Sequence, residues 1–287
     1  MIGKAIYAVD FGIHQPLALP CLTKLREAGY HELILFHVTR GEQRARGVPE
    51  LLRSDVRTCI KMAAEQRLEE WKRSCTTRGL TVRVVTEEAD LPWLAVCEFA
   101  RREGATLLVL GPKGDSHPGS MAYFIMHTSP VKTALLILKT NDTSAKRWYG
   151  DSCGGLFSQV LLATDWSASA LRAEAYVAEL RGAGVEKVVV AHVADPAPHE
   201  GEPSKGVALA ERRLAESCRN LEKSGIKATR QVLHGDPVEA IVAAAGNEGV
   251  SLIVLGSTGK SVSLETAVGS VSEQVALSAQ TSVLLVY

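Results

Sequence analysis

Short apolar runs recur along the chain, each followed by a longer segment whose apolar residues return at helical spacing. In the C-terminal half the runs predict strands near 158–164, 187–193, 228–233, 251–255 and 282–286. The segments between them predict helices near 168–182, 205–224, 237–248 and 270–279. In the N-terminal half the corresponding strands fall near 3–9, 32–38, 80–86, 106–110 and 133–138, with a long helix at about 50–78. Strand–helix alternation of this kind builds βαβ units that feed a parallel sheet. Runs such as LLVL (107–110) and LIVL (252–255) carry no polar alternation, so both faces of the sheet should be covered. The long helix is amphipathic, and its charge-laced stretch RLEEWKR reads as a solvated outer face.

The halves are copies of one unit. IGKAIYAVDFG (2–12) matches FSQVLLATDWS (157–167), and ELILFHV (32–38) matches KVVVAHV (187–193). ATLLVLGPKG (105–114) matches VSLIVLGSTG (250–259), and ALLIL (134–138) pairs with VLLVY (283–287). Between them, the polar, glycine-rich stretch 139–157 has no sustained period and reads as a linker. The predicted organisation is a first domain at 1–140, a linker at 141–156 and a second domain at 157–287. The predicted fold class is α/β: two tandem, open, five-stranded parallel sheets, doubly wound with helices on both faces.

Composition narrows the function more than the fold. A length of 287 residues suits two domains. Lys+Arg and Asp+Glu are equal at 32 each, so no global field draws the chain to nucleic acid or to an anionic membrane, and any anion site must come from local geometry. The tryptophans Trp71, Trp93, Trp148 and Trp166 are not interleaved with basic residues, which also argues against nucleic acid. No apolar run is long enough for a membrane span, and the N-terminal residues enter a strand pattern directly instead of a signal peptide, so the expected location is the cytoplasm. The cysteines Cys21, Cys59, Cys75, Cys97, Cys153 and Cys218 lie far apart, and His14, His117 and His127 show no ligand spacing, so packed, reduced thiols are expected and no metal cluster.

The candidate site lies after the fourth strand of the second half. There VSLIVL runs into Gly256 and Gly259, and Gly269-Ser270 opens the next helix. A glycine after a buried parallel strand permits a turn with positive φ and a close backbone approach to an anion, and a helix start adds unpaired N–H groups and a positive dipole end. Ser270-Val-Ser-Glu273 also has the form of a capping box, which would explain that serine by helix stability. The GSTGKS stretch is not a Walker loop, because Val254 stands where that loop needs glycine. Asp165 ends the first strand of this half and Val193 the second, so both should line the same crevice. His37 and His192, at strand ends, read as packed or backbone-bonded, and Asp236-Pro237 as a helix N-cap followed by proline at the first helical position. No catalytic residue is assigned.

The arrangement Gly-x2-Gly-x9-Gly-Ser, with the strand-ending aspartate, the His-Val pair and the terminal SVLLVY strand, resembles the universal stress protein family over essentially all of both halves. The resemblance implies an adenine-nucleotide α-hydrolase-like fold and an ATP-binding, cytoplasmic stress-response regulator with an unidentified protein partner. It implies that Asp165 contacts the ribose or a phosphate-bound Mg²⁺, and that Val193 offers backbone groups to the adenine. Gly256, Gly259, Gly269, Ser270 and Val271 would hold the triphosphate, with Lys260 and Ser261 assisting. It also implies that the last strands of the halves pair antiparallel as an intrachain pseudo-dimer; association into a homodimer is left open.

The first half departs from this pattern. It keeps Asp10, Val38, Gly111 and Gly114, but Gly119-Ser120 follows after only DSHP, and the family spacing falls on Phe124 and Ile125. Pro112 and Pro118 remove two N–H donors, so this half is expected to be a structural partner. Two alternatives stand beside the binding regulator. One is an enzyme with slow ATP hydrolysis or adenylate transfer; the other is a scaffold that binds no nucleotide.

Overall fold

In the computed structural model the apolar runs become strands. The structure describes residues 3–12, 15–40, 47–76, 80–111, 120–128, 134–139, 155–194, 205–259 and 268–287. The first half contributes β1 (Gly3–Val9), β2 (Tyr30–Thr39), β3 (Thr81–Glu88), β4 (Leu107–Leu110) and β5 (Ala134–Ile137). The second contributes β6 (Gln159–Ala163), β7 (Lys187–Val193), β8 (Lys227–Leu233), β9 (Leu252–Gly256) and β10 (Ser282–Val286). The helices are α1 (Gln15–Thr23), α2 (Glu50–Thr76), α3 (Pro92–Glu103), α4 (Met121–Thr128), α5 (Ala168–Glu179), α6 (Lys205–Lys223), α7 (Pro237–Asn247) and α8 (Ser270–Ser278). The expected linker lies mostly at 140–154, outside the described residues, as does Cys153.

The strands form one sheet in the order β3-β2-β1-β4-β5-β10-β9-β6-β7-β8. Within each half all pairs are parallel. At the centre β5 and β10 run antiparallel, with Leu135, Leu136 and Ile137 opposite Leu285, Leu284 and Val283. The antiparallel pairing of the last strands is the one the family resemblance implied, and it merges the two expected sheets into a single ten-stranded one. The physical reason is that β5 and β10 are buried along their whole length, and each would otherwise be an apolar sheet edge with unpaired backbone groups.

Successive side chains of a strand point to opposite faces, and here both faces carry a core. Ala5, Tyr7 and Val9 of β1 pack in one cluster with Leu68 and Trp71, while Ile6 and Ala8 pack in the other with Phe99 and Met126. Each cluster crosses the seam, the first taking in Tyr176 and the second Val275. Helix α2 joins the first cluster only through its C-terminal part: Ala64, Leu68, Trp71 and Cys75 are buried at i, i+4, i+7 and i+11, whereas 50–63 contains no buried residue. Four of the described cysteines are buried and Cys59 is exposed; burial pushes the Cys97 thiol up to about 11. Among the described residues no helix is long and apolar enough to cross a membrane.

Polar contacts also tie the halves together. The hydroxyls of Tyr30 and Tyr176 share a buried hydrogen bond, and the Lys139 amide donates to Ser282 Oγ at 3.1 Å. Burial holds the Lys139 ammonium down to about 8, from an ordinary 10.5. A lysine depressed on folding disfavours the folded state while it is charged, so the cost is fully present below pH 8 and disappears as pH rises towards 10.5. Relative to Lys139→Met, the wild type should therefore gain about 1–3 kcal/mol of stability across that window, measured by denaturant unfolding at its two ends. An unchanged difference would show that the ammonium is adequately solvated or paired.

Candidate functional site

In the second half the strand order reverses between β6 and β9, and chains leaving their C-terminal ends diverge to leave a crevice. A cavity of about 460 Å³ lies there, a size typical of small-molecule sites. Strand ends supply Ala163, Thr164, Asp165, Ala191, His192 and Val193. Helix starts supply Pro237 and Ile241 from α7 and residues 269–272 from α8. Gly256, Thr258 and Gly259 close the floor.

Of the residues singled out from the sequence, Asp165, Val193, Gly256, Gly259, Gly269, Ser270 and Val271 all line this one cavity. Lys260 and Ser261 lie outside the described residues. Gly256 is needed for space, since it is not among the residues with positive φ. A β-carbon on it would stand 2.6 Å from the Ala170 backbone nitrogen, so glycine is what lets α5 approach the end of β9. Gly259 faces Asp165 closely: a β-carbon there would meet Asp165 Oδ2 at 3.1 Å.

The capping-box expectation is also corrected. Gly269, extended at φ −81° and ψ 152°, is the N-cap of α8, one residue earlier than the box requires. Its amide donates to the Ser257 carbonyl at 2.7 Å, and its carbonyl accepts from the Glu273 amide at 2.9 Å. The Glu273 carboxylate instead meets His127 Nε2 of α4 at 3.0 Å, across the seam. The amides of Ser270, Val271 and Ser272, in the first turn, have no acceptor within the helix and sit at its positive end. One wall of the cavity is thus suited to an anion, while Val193, Ile241 and Leu255 present an apolar wall.

Asp165 is held by its own turn. Its Oδ1 accepts from the Ser167 amide at 2.9 Å. The hydroxyls of Ser167, at 3.1 Å, and Ser169 both donate to the Thr258 carbonyl, fastening the loop after β9 to the start of α5. His192 Nδ1 lies 2.7 Å from the Thr164 carbonyl, which can only accept, so that nitrogen carries the proton. His37 makes the same bond to the Val9 carbonyl at 2.7 Å. Both histidines are therefore backbone-bonded, as expected from the sequence. Asp236 caps α7 by accepting from the Val238 and Glu239 amides, with Pro237 next in line. Among the described residues no group of three or more His, Cys, Asp or Glu could hold a metal.

Thr164, Thr258 and Ile241 line the cavity without having been singled out from the sequence. Ile241 could have been found: it stands one turn into the helix whose Asp236-Pro237 start was legible. The serine contacts to Thr258 had no signal, because they depend on how closely α5 meets β9.

In the first half the residue placed at Gly269 is Ser120, and not Phe124 as family spacing suggests. The Phe124 amide donates to the Ser120 carbonyl at 3.2 Å, as Glu273 does to Gly269, and α4 begins at Met121 as α8 begins at Ser270. Ser120 Oγ accepts from the Tyr123 amide at 3.3 Å. Phe124 and Ile125 are interior to α4. Asp10, Val38 and Gly111 are described at their strand ends, whereas Pro112, Gly114, Pro118 and Gly119 lie outside the described residues, as do His14, His117 and Trp148.

Known proteins resemble the chain in sequence and in fold. The family model described as "Universal stress protein family" matches residues 157–287. A universal stress protein of Thermus aquaticus is 36% identical over 137 residues, covering 46% of this chain and 99% of that one. A second, from Methanocaldococcus jannaschii, is 30% identical over 158 residues, covering 46% and 95%. The crystal structure of a universal stress protein from Archaeoglobus fulgidus aligns with 99% of this chain and 96% of its own, at a TM-score of 0.71 and 20% identity, so the likeness in fold spans both halves. On the fold, the strand-end cavity and these relatives together, the chain belongs to the universal stress protein family.

Proposed function

We propose that the cavity at the β6/β9 switch point binds an adenine nucleotide, with ATP the first choice, and that occupancy regulates the protein's association with a partner in a stress response. The observation that carries this reading is one cavity of about 460 Å³ with N–H-rich helix and loop backbone on one wall and apolar side chains on another. Phosphates would lie against Gly256, Gly259, Gly269, Ser270 and Val271, with Lys260 and Ser261 alongside. The base would lie towards Val193 and Ile241, and Asp165 towards the ribose. A Mg²⁺ would arrive with the phosphates, Asp165 adding one carboxylate. The reading puts the nucleotide in residues 157–287 and makes 1–140 its structural partner.

Calorimetric titration with ATP, together with acid extraction of the purified protein to identify any bound nucleotide, tests this directly. Gly259→Val should keep the fold, because its nearest neighbour is a side-chain oxygen at 3.1 Å, and weaken binding at least about tenfold by filling the space before Asp165. Absence of nucleotide from the extract and of heat on titration would reject the reading. The enzymatic alternative has its own measurement: Mg²⁺-dependent turnover lost in Asp165→Ala would establish hydrolysis.

A further inference from the structure

Two side chains in the described structure hold positive φ without being glycine: Phe11 at 62° and Trp166 at 59°. They are repeat equivalents, each directly following the aspartate that ends the first strand of its half. Bulky residues persist in the left-handed region only where the surroundings over-determine them. Here the surroundings share a histidine and an arginine in both halves, Phe11 also meeting the edge of Trp71 at 5.7 Å. The Trp166 ring lies against His192, with ring centroids 4.1 Å apart, and the Arg213 guanidinium of α6 stands over it at 5.2 Å. The Phe11 ring lies against His37 at 4.5 Å, with the Arg67 guanidinium of α2 over it at 4.9 Å. Each histidine is anchored to the backbone two residues before its aromatic residue, at Thr164 and at Val9. In each turn the aspartate Oδ1 accepts, at 2.9 Å, from the amide two residues on, Gly12 or Ser167.

We propose that Trp166, held by contacts with both Arg213 and His192, positions Asp165 in the nucleotide site, so that Arg213 governs nucleotide affinity from outside the cavity. The inference rests on the nucleotide reading of that cavity. A left-handed residue after Asp165 reverses the chain sharply enough for Ser167 N–H to reach back to Oδ1. That bond orients the carboxylate so that Oδ2 faces Gly259. The ring contacts hold the reversal in place, since an aromatic ring packed against both a guanidinium and an imidazole resists rotation of the turn. In the first half the clamp survives while Met121 replaces Ser270, so the grip belongs to the aspartate turn. In the second half the gripped aspartate faces Gly259, a glycine of the cavity.

The test uses the full chain and three variants, Trp166→Phe, Trp166→Ala and Arg213→Gln. One readout is ATP titration; the other is hydrogen exchange of the Ser167 amide without ligand. Trp166→Phe, which installs the ring the first half already uses, should bind ATP within about twofold of wild type. Arg213→Gln, a change at an exposed side chain, should weaken binding about two- to fivefold and accelerate Ser167 exchange by a similar factor. Trp166→Ala should weaken binding about tenfold or more. If Arg213→Gln leaves Ser167 exchange at the wild-type rate, the clamp is overturned. If exchange accelerates but ATP affinity stays unchanged, the positioning role is overturned. Should wild type bind no nucleotide while Arg213→Gln still accelerates exchange, the nucleotide reading falls and the gripped aspartate turn stands.

Discussion

Gly256→Val is expected to lose about 3 kcal/mol of stability, lowering Tm by about 5–10 °C, and to lose measurable nucleotide binding. The added β-carbon would sit 2.6 Å from the Ala170 backbone nitrogen, and the obstacle is the first turn of α5, which cannot rotate away as a side chain can. Relieving the contact means moving α5 off β9. That separates Ser167 and Ser169 from the Thr258 carbonyl and opens the floor of the cavity. Buried groups left without partners add about 1–3 kcal/mol each. Thermal unfolding and ATP titration check both halves of the prediction. A variant within about 1 kcal/mol of wild type would show that α5 is not held at this point. Gly259→Val provides the contrast, since it should keep its Tm and lose affinity.

Leu284→Asp and Leu136→Asp should each cost more than about 4 kcal/mol in denaturant unfolding, and neither variant should fold cooperatively at ordinary temperature. The two leucines face each other in the antiparallel pair at the centre of the sheet, 1% and 0% exposed. A carboxylate there has no cation opposite it and no water, and both cores run through this pair of strands. Leu52→Asp, on the exposed part of α2 where the leucine is 51% exposed, should stay within about 0.5 kcal/mol of wild type. Equal effects at the three positions would mean that the seam is not what holds the halves together.

Much of the fold was legible because strands buried on both faces must be written in apolar residues whatever lies around them. The run at 282–286 coincides with β10, and 187–193 with β7. Asp236-Pro237 announced the start of α7, since capping is a local bargain between one side chain and two amides. Helix α1 follows Asp10, where the sequence pattern offered a helix start but no extent. It carries Pro20 in its interior, and it exists because Ala18, Leu19 and Leu22 bury themselves in the first core. The first half was read as a shortened loop with Gly119-Ser120 as its Gly-Ser pair, and the hydrogen bond from the Phe124 amide to the Ser120 carbonyl puts the helix cap at Ser120, a detail that spacing alone cannot show.

The two repeated units, their strand order of apolar runs and the residues that gather in the cavity were determined by the sequence itself, because each depends on local pattern and on copies of it. Tertiary structure decided the rest. It fixed the register of the expected antiparallel pairing, with Leu136 opposite Leu284, which makes the two halves one sheet. It turned Gly256 from an expected positive-φ turn residue into a spacing residue for α5. It also moved the cap of α8 to Gly269, sending Glu273 across the seam to His127. All three depend on distances between residues far apart in the chain, and no spacing along the sequence carries such a distance.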